Sequence, residues 1–210
     1  MRRSISERIR IEGPAGALEA IVEDVGAHAG AVAVVCHPHP LYGGTMDNKV
    51  VVSVARALHE AGVSTVRFNF RGVGASAGAY DEGRGELEDA IAVASQAATR
   101  WPGLPFISAG FSFGSYIALR LALSRTTQRL FTVAPAVSRF DFDELSRPAC
   151  PWVIVQGEAD EVVPTPEVVA WAGRLDPPAK LHLVPGAGHF FHGKLLALRD
   201  IVLAEMRGEG

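Results

Sequence analysis

Cysteine is scarce in this chain. Cys36 and Cys150 are the only two in 210 residues, too few for a disulfide framework, and each borders an apolar run, so both are expected as buried free thiols. Long apolar runs are missing as well: nothing approaches the roughly 18 unbroken apolar residues of a membrane span. Excess positive charge is absent too. Against 23 Asp and Glu there are 20 Lys and Arg, a net charge of −3, which offers no electrostatic footprint for nucleic acid or an anionic membrane. The opening MRRSISERIRIEG has basic residues but no apolar stretch behind them; no signal peptide is read, and a cytoplasmic location is expected. Repeats, charge blocks and low-complexity linkers are also lacking, so a single domain over residues 1–210 is expected.

What is present is alternation. Ile9 and Ile11, then Leu18, Ala20 and Val22, alternate with polar residues on either side of EGPAG, which predicts a β-hairpin. Six short β-branched or aromatic runs follow: Ala31–Cys36, Ser64–Phe70, Leu104–Gly110, Arg129–Pro135, Pro151–Gly157 and Lys180–Gly186. Most stop at Gly or Pro. Helical patterns lie between and after them, at Asn48–Ala61, Gly85–Arg100, Phe113–Ser124, Pro166–Leu175 and about Phe191 to Met206. In the second helix Leu87, Ile91 and Ala94 fall at helical spacing, with Glu86, Glu88 and Asp89 in the first turn, where the dipole favours acids. Strand and helix in this order predict an α/β fold, a mostly parallel sheet covered on both faces, with the hairpin adding antiparallel strands at one edge. Ligands of such sheets bind beyond the carboxyl ends of the strands.

Four loops at those ends carry chemistry. The first is Gly110-Phe-Ser112-Phe-Gly114, a G-x-S-x-G turn between an apolar strand and a helix, which presents a serine hydroxyl as a nucleophile. A serine needs a base. His28 sits in a Gly/Ala loop, His59 on a helix and His182 inside a strand, whereas His189 lies in the small-residue loop VPGAGHFFHG after the last strand. His192, expected in the following helix's first turn, is its nearest rival. The base needs an orienting acid; Asp160 of GEADEVVP is favoured by the chain order serine, acid, histidine, over Glu158, Glu161, Asp141 and Asp143. The fourth loop is His37-Pro-His-Pro-Leu-Tyr-Gly-Gly44. An oxyanion hole needs two N–H donors. Phe113, directly after the nucleophile, supplies one. Pro38 and Pro40 have no N–H, which leaves His39, Leu41, Tyr42 and the glycines, with Leu41 or Tyr42 preferred.

With HPHPLYGG, NFRGVGASAG, GFSFGS, GEADEVVP and GAGHFF in these places, the chain resembles the α/β-hydrolase family over nearly its full length. It looks most like the small bacterial hydrolases that carry a His-Pro-His-Pro loop and no separate cap domain. The resemblance implies Ser112 as nucleophile, Asp160 as acid and His189 as base, in agreement with the residue-level reading. It departs from the commoner oxyanion loop, in which glycine follows the first histidine.

Two other signals are weaker. Gly72, Gly74 and Ala77 match G-x-G-x-x-A after a strand, but the chain continues AGAYDEGRG rather than into a helix, so a tight turn is expected, with Arg71 bonding backbone carbonyls, and no dinucleotide. His37 and His39 have ligand-like i, i+2 spacing, which His189 with His192, or Cys36 and Cys150, could extend to a metal site. Zinc usually takes three or four convergent ligands with a carboxylate or thiolate among them, and proline on both sides of His39 more simply restrains a loop, so no metal is expected. No cofactor is expected. The segment between Pro135 and Pro151 is too short for a cap, which predicts an open site for small or medium acyl esters with apolar walls from Phe111, Phe113, Tyr42 and Phe140, beside His39. A thioesterase of the same mechanism, or a non-catalytic protein of this fold that binds a ligand or partner, are the alternatives. The expected partner is a small acyl ester; neither nucleic acid nor membrane is expected, and the sequence leaves oligomeric state open.

Overall fold

A computed structural model describes residues 5–208. Eight strands form one sheet: β1 (Ile5–Gly13), β2 (Gly16–Asp24), β3 (Ala31–Cys36), β4 (Val63–Phe68), β5 (Phe106–Phe111), β6 (Arg129–Val133), β7 (Trp152–Gly157) and β8 (Lys180–Val184). Their order is β1-β2-β4-β3-β5-β6-β7-β8. The β1/β2 hairpin and the β2/β4 pair are antiparallel, and every pair from β4 to β8 is parallel. This is the mixed sheet the sequence predicts, with the hairpin on one edge.

Five helices cover the sheet: α1 (Lys49–Glu60), α2 (Arg84–Arg100), α3 (Phe113–Ser124), α4 (Thr165–Ala172) and α5 (Leu195–Arg207). The central strands are buried on both sides, and their period of two divides the core. Ala31, Ala33 and Val35 of β3 pack with α1 and α5, while Val32, Val34 and Cys36 pack with α2 and α3. Around Trp152, Ile154 and Trp171 a further apolar cluster seats α4 on the same face as α3. Cys36 and Cys150 are buried free thiols, as expected. Among the described residues no helix is long and apolar enough to cross a membrane.

Three expectations need correction. The last helix begins at Leu195, not Phe191, because Phe191 and Gly193 both have positive φ (53° and 70°) and turn the chain first; His192 therefore lies in an exposed turn ahead of the helix. The buried stripe of α2 runs through Glu86, Asp89, Ala90, Val93 and Ala97, leaving Ile91 exposed. Its acids are structural: Glu86 accepts from the Gly83 and Asp81 N–H groups (2.7 and 2.9 Å), and Asp89 takes the Arg71 guanidinium at 2.8 Å through Nη2 and 3.1 Å through Nε. Arg71 thus bonds a buried carboxylate rather than backbone carbonyls, and its own N–H reaches the same carboxylate at 2.9 Å. A Cβ on Gly85 would displace that guanidinium. The RGVGASAG segment is the expected glycine turn, with Gly72, Gly74 and Gly78 all at positive φ, and its pair with Asp89 ties the end of β4 to α2.

Candidate active site

Ser112 stands between β5 and α3 at φ 55°, ψ −117°, a backbone conformation that costs a non-glycine residue about 1–3 kcal/mol. The surroundings enforce it. The Ser112 N–H donates to Val133 O at 2.8 Å, and Ser115 N–H donates to Ser112 O at 2.9 Å. Ser115 Oγ lies 2.9 Å from Gly110 O and 3.0 Å from Val133 O, bracing the turn against β6. A Cβ on Gly110 would strike the Gly114 carbonyl, and one on Gly114 the Cys36 carbonyl. Both glycines are therefore steric requirements of the bend. Ser108 supports the arrangement from beneath, donating to Ala118 O of α3 at 2.8 Å. Neither Ser108 nor Ser115 was singled out by the sequence, although both lie within the strand–turn–helix motif.

The hydroxyl meets His189 Nε2 at 3.1 Å, and His189 Nδ1 meets Asp160 Oδ2 at 2.9 Å. The carboxylate accepts, so Nδ1 carries the proton and Nε2 is free to accept from Ser112. Asp160 is held on both oxygens: Oδ1 accepts from the Val162 and Val163 N–H groups (2.9 and 2.7 Å), and Oδ2 accepts also from Gln156 Nε2 (3.1 Å). Burial pushes this carboxyl up, but the hydrogen bonds from His189 and the two amides outweigh it and hold Asp160 below the usual carboxylate range.

The rival residues fall elsewhere. Glu161 accepts the His189 backbone N–H at 3.1 Å, fixing the histidine loop rather than its ring. Glu158 and Asp141 are exposed, and Asp143 pairs with Arg174 at 3.0 Å. His182 is bound to Glu205 at 2.7 Å on the far edge of the sheet.

In the His37–Gly44 loop the two amides that the sequence favoured as oxyanion donors, Leu41 and Tyr42, are already engaged. Leu41 N–H donates to His39 Nδ1 at 3.2 Å, and Tyr42 N–H donates to His39 O at 3.1 Å. Both amides are engaged inside the loop by the one-turn helix Pro40–Tyr42, and neither side chain is enclosed (68% and 82% exposed). Gly44 N–H also donates to His39 O. The His39 amide has no partner among the described residues, and neither does the Phe113 amide. His37 fixes the start of the loop: its Nδ1–H donates to Pro38 O at 2.6 Å, and its Nε2 accepts the Phe70 N–H at 3.0 Å. Complete burial holds this imidazole down at about 3, neutral across the physiological range.

Beside Ser112 opens a pocket of about 270 Å³. Tyr42, Phe113 and Phe140 line it with His39, and Phe190 adds a further wall. Phe111 is not part of it. That side chain is fully buried on the α1/α5 side of the sheet, its ring 5.0 Å from the His189 ring, where it backs the imidazole rather than substrate. The polar lining beyond His39, Ser112 and His189 includes Asn48 and Arg139, and the lining contains no Asp or Glu.

Residues 28–141 match the family described as serine aminopeptidase, S33. An uncharacterised protein of Rickettsia prowazekii is 34% identical over 197 residues, covering 89% of this chain and 83% of the relative. Among solved structures, an α/β serine hydrolase homologue from Coxiella burnetii is 45% identical with a TM-score of 0.91, over 95% of this chain and 96% of that one. A Xanthomonas campestris protein described as an α/β serine hydrolase without a lid is 41% identical with a TM-score of 0.92, over 99% of this chain and 96% of that one.

Proposed function

This chain belongs to the serine aminopeptidase, S33, family of α/β serine hydrolases, and on that premise we propose that it is a carboxylesterase cleaving small to medium acyl esters through an acyl-enzyme. Ser112 Oγ attacks the acyl carbonyl while His189 Nε2 takes its proton, and Asp160 stabilises the imidazolium that forms. The tetrahedral oxyanion accepts from the Phe113 N–H and the His39 N–H. Return of the proton from His189 expels the alcohol, and a water deprotonated by His189 then releases the acid and restores Ser112.

The observation that carries an ester reading over a peptidase one is the make-up of the pocket. An aminopeptidase must hold its substrate's terminal ammonium, which calls for a carboxylate within reach. Among the described residues the pocket beside Ser112 has none on its lining, and Arg139 there would repel an ammonium. The test sets p-nitrophenyl acetate and butyrate against alanyl-p-nitroanilide. Turnover of the esters without cleavage of the anilide is expected; an anilide kcat/KM equal to that of the esters would overturn the reading.

The oxyanion assignment has its own test. His39 has φ −54° and ψ 124°, which proline adopts without strain, so His39→Pro removes the N–H and keeps the loop path. A loss of about 10²–10³ in kcat is expected. His39→Ala removes the same ring but keeps the amide, and its loss is expected to be much smaller. Equal losses in the two variants would assign the effect to the ring and leave the amide without a role.

A further inference from the structure

Arg139 sits in the turn after β6, its N–H donating to Ala136 O at 3.0 Å, and its side chain lines the pocket that opens on Ser112. Arg174, by contrast, is engaged with Asp143 of the same loop. The guanidinium of Arg139 has neither a carboxylate nor a hydrogen-bond acceptor among the described residues. Of the acids in its own loop, Asp143 gives both oxygens to Arg174 at 3.0 Å, and Asp141 is exposed and makes no ion pair with it among the described residues.

The rest of the lining does not balance this charge. Of the other titratable groups there, His189 accepts from Ser112, and His39 is held below the ordinary imidazole range, first by burial and then by the charge of Arg139. Arg139 is thus close enough for its field to be felt at the residue that caps the oxyanion loop. Asn48 adds a donor. Its Oδ1 caps α1 by accepting the Val50 N–H at 2.9 Å, and its amide NH₂, on the same pocket, has no partner among the described residues. Phe113, Phe140 and Phe190 line the same pocket, and Arg139 stands exposed at it, where a guanidinium with no protein partner is available to meet a carboxylate.

We propose that Arg139, assisted by Asn48, makes this pocket selective for esters that carry a carboxylate on the part of the substrate away from the scissile bond. Arg139 acts here as a specificity determinant and takes no part in the bond-making steps. The proposal rests on the esterase reading for its meaning, but its test does not need turnover. On the Ser112→Ala background, monomethyl glutarate and 4-acetoxybenzoate, each with its neutral dimethyl or methyl ester, are titrated by NMR. They place the carboxylate on the acyl side and on the alcohol side respectively.

At least one anion is expected to bind about five- to tenfold more tightly than its neutral partner. That preference should shrink as salt approaches about 1 M, where the screening length is about 3 Å. Adding Arg139→Ala should level the two affinities, and Arg139→Lys should restore part of the difference. No preference in either pair, or one that survives Arg139→Ala, overturns the proposal. Failure of the esterase reading is seen separately, as absence of ester turnover in the wild-type chain.

Discussion

Ester turnover by the Ser112→Ala variant is expected to fall by on the order of 10⁴–10⁶ in kcat, and covalent labelling by a fluorophosphonate probe to vanish with it. The size of the effect follows from the lack of a substitute. Ser115, three residues on, has its hydroxyl buried between the Gly110 and Val133 carbonyls, and among the described residues no other hydroxyl contacts His189 Nε2. Stability should barely change. Ser112 Oγ makes one hydrogen bond, to His189, and alanine inherits the same strained backbone at φ 55°. A thermal midpoint within a few degrees of wild type therefore separates lost chemistry from lost folding. Wild-type protein that neither labels nor turns over an ester would remove Ser112 from its role, and a ligand-binding function would take its place.

The parts of this site that sequence reveals are those whose geometry is local. A serine between Gly110 and Gly114, after an apolar strand and before a helix, leaves the backbone one path, because either glycine's Cβ would collide with a carbonyl. Asp160 and His189 are each read from a loop that follows a strand, and chain order does the rest. What sequence hides depends on contacts between distant segments. Asp89 looks like a first-turn acid of an exposed helix until Arg71, 18 residues earlier, folds back onto it.

Arg139 has no motif at all; only the turn after β6 brings it to the pocket. The preference for Leu41 and Tyr42 failed because sequence cannot tell which amides a loop uses internally, and a one-turn helix uses these two. Phe111 is a different case. The period of β5, with Ile107, Ala109 and Phe111 on one face and Ser108 and Gly110 beneath α3, already sends its side chain away from the pocket. That pattern was legible, and proximity to Ser112 in the chain obscured it.

Asp160→Asn tests whether the acid works by holding a tautomer, and it is expected to lower kcat by about 10⁴ while leaving KM nearly unchanged. The argument turns on which end of the new amide faces which partner. Val162 and Val163 present N–H donors to Oδ1, so the asparagine carbonyl must take that position. Its NH₂ then occupies the place of Oδ2 and points a donor at His189 Nδ1. The imidazole can meet a donor there only by moving its proton to Nε2, where it can no longer accept from Ser112. A second effect follows from charge. Asp160 has a folded-state pKa below the ordinary carboxylate value, so its stabilising contribution is fully present above that ordinary value and is lost as pH falls through the depressed folded one. The wild-type chain should therefore lose stability to urea over this acid range, whereas Asp160→Asn, with nothing to protonate at that position, should show a flatter profile there. A variant that keeps more than about a tenth of wild-type kcat would mean that Asp160 does not set the tautomer, and the short contact at His189 Nδ1 would have to be explained as packing alone.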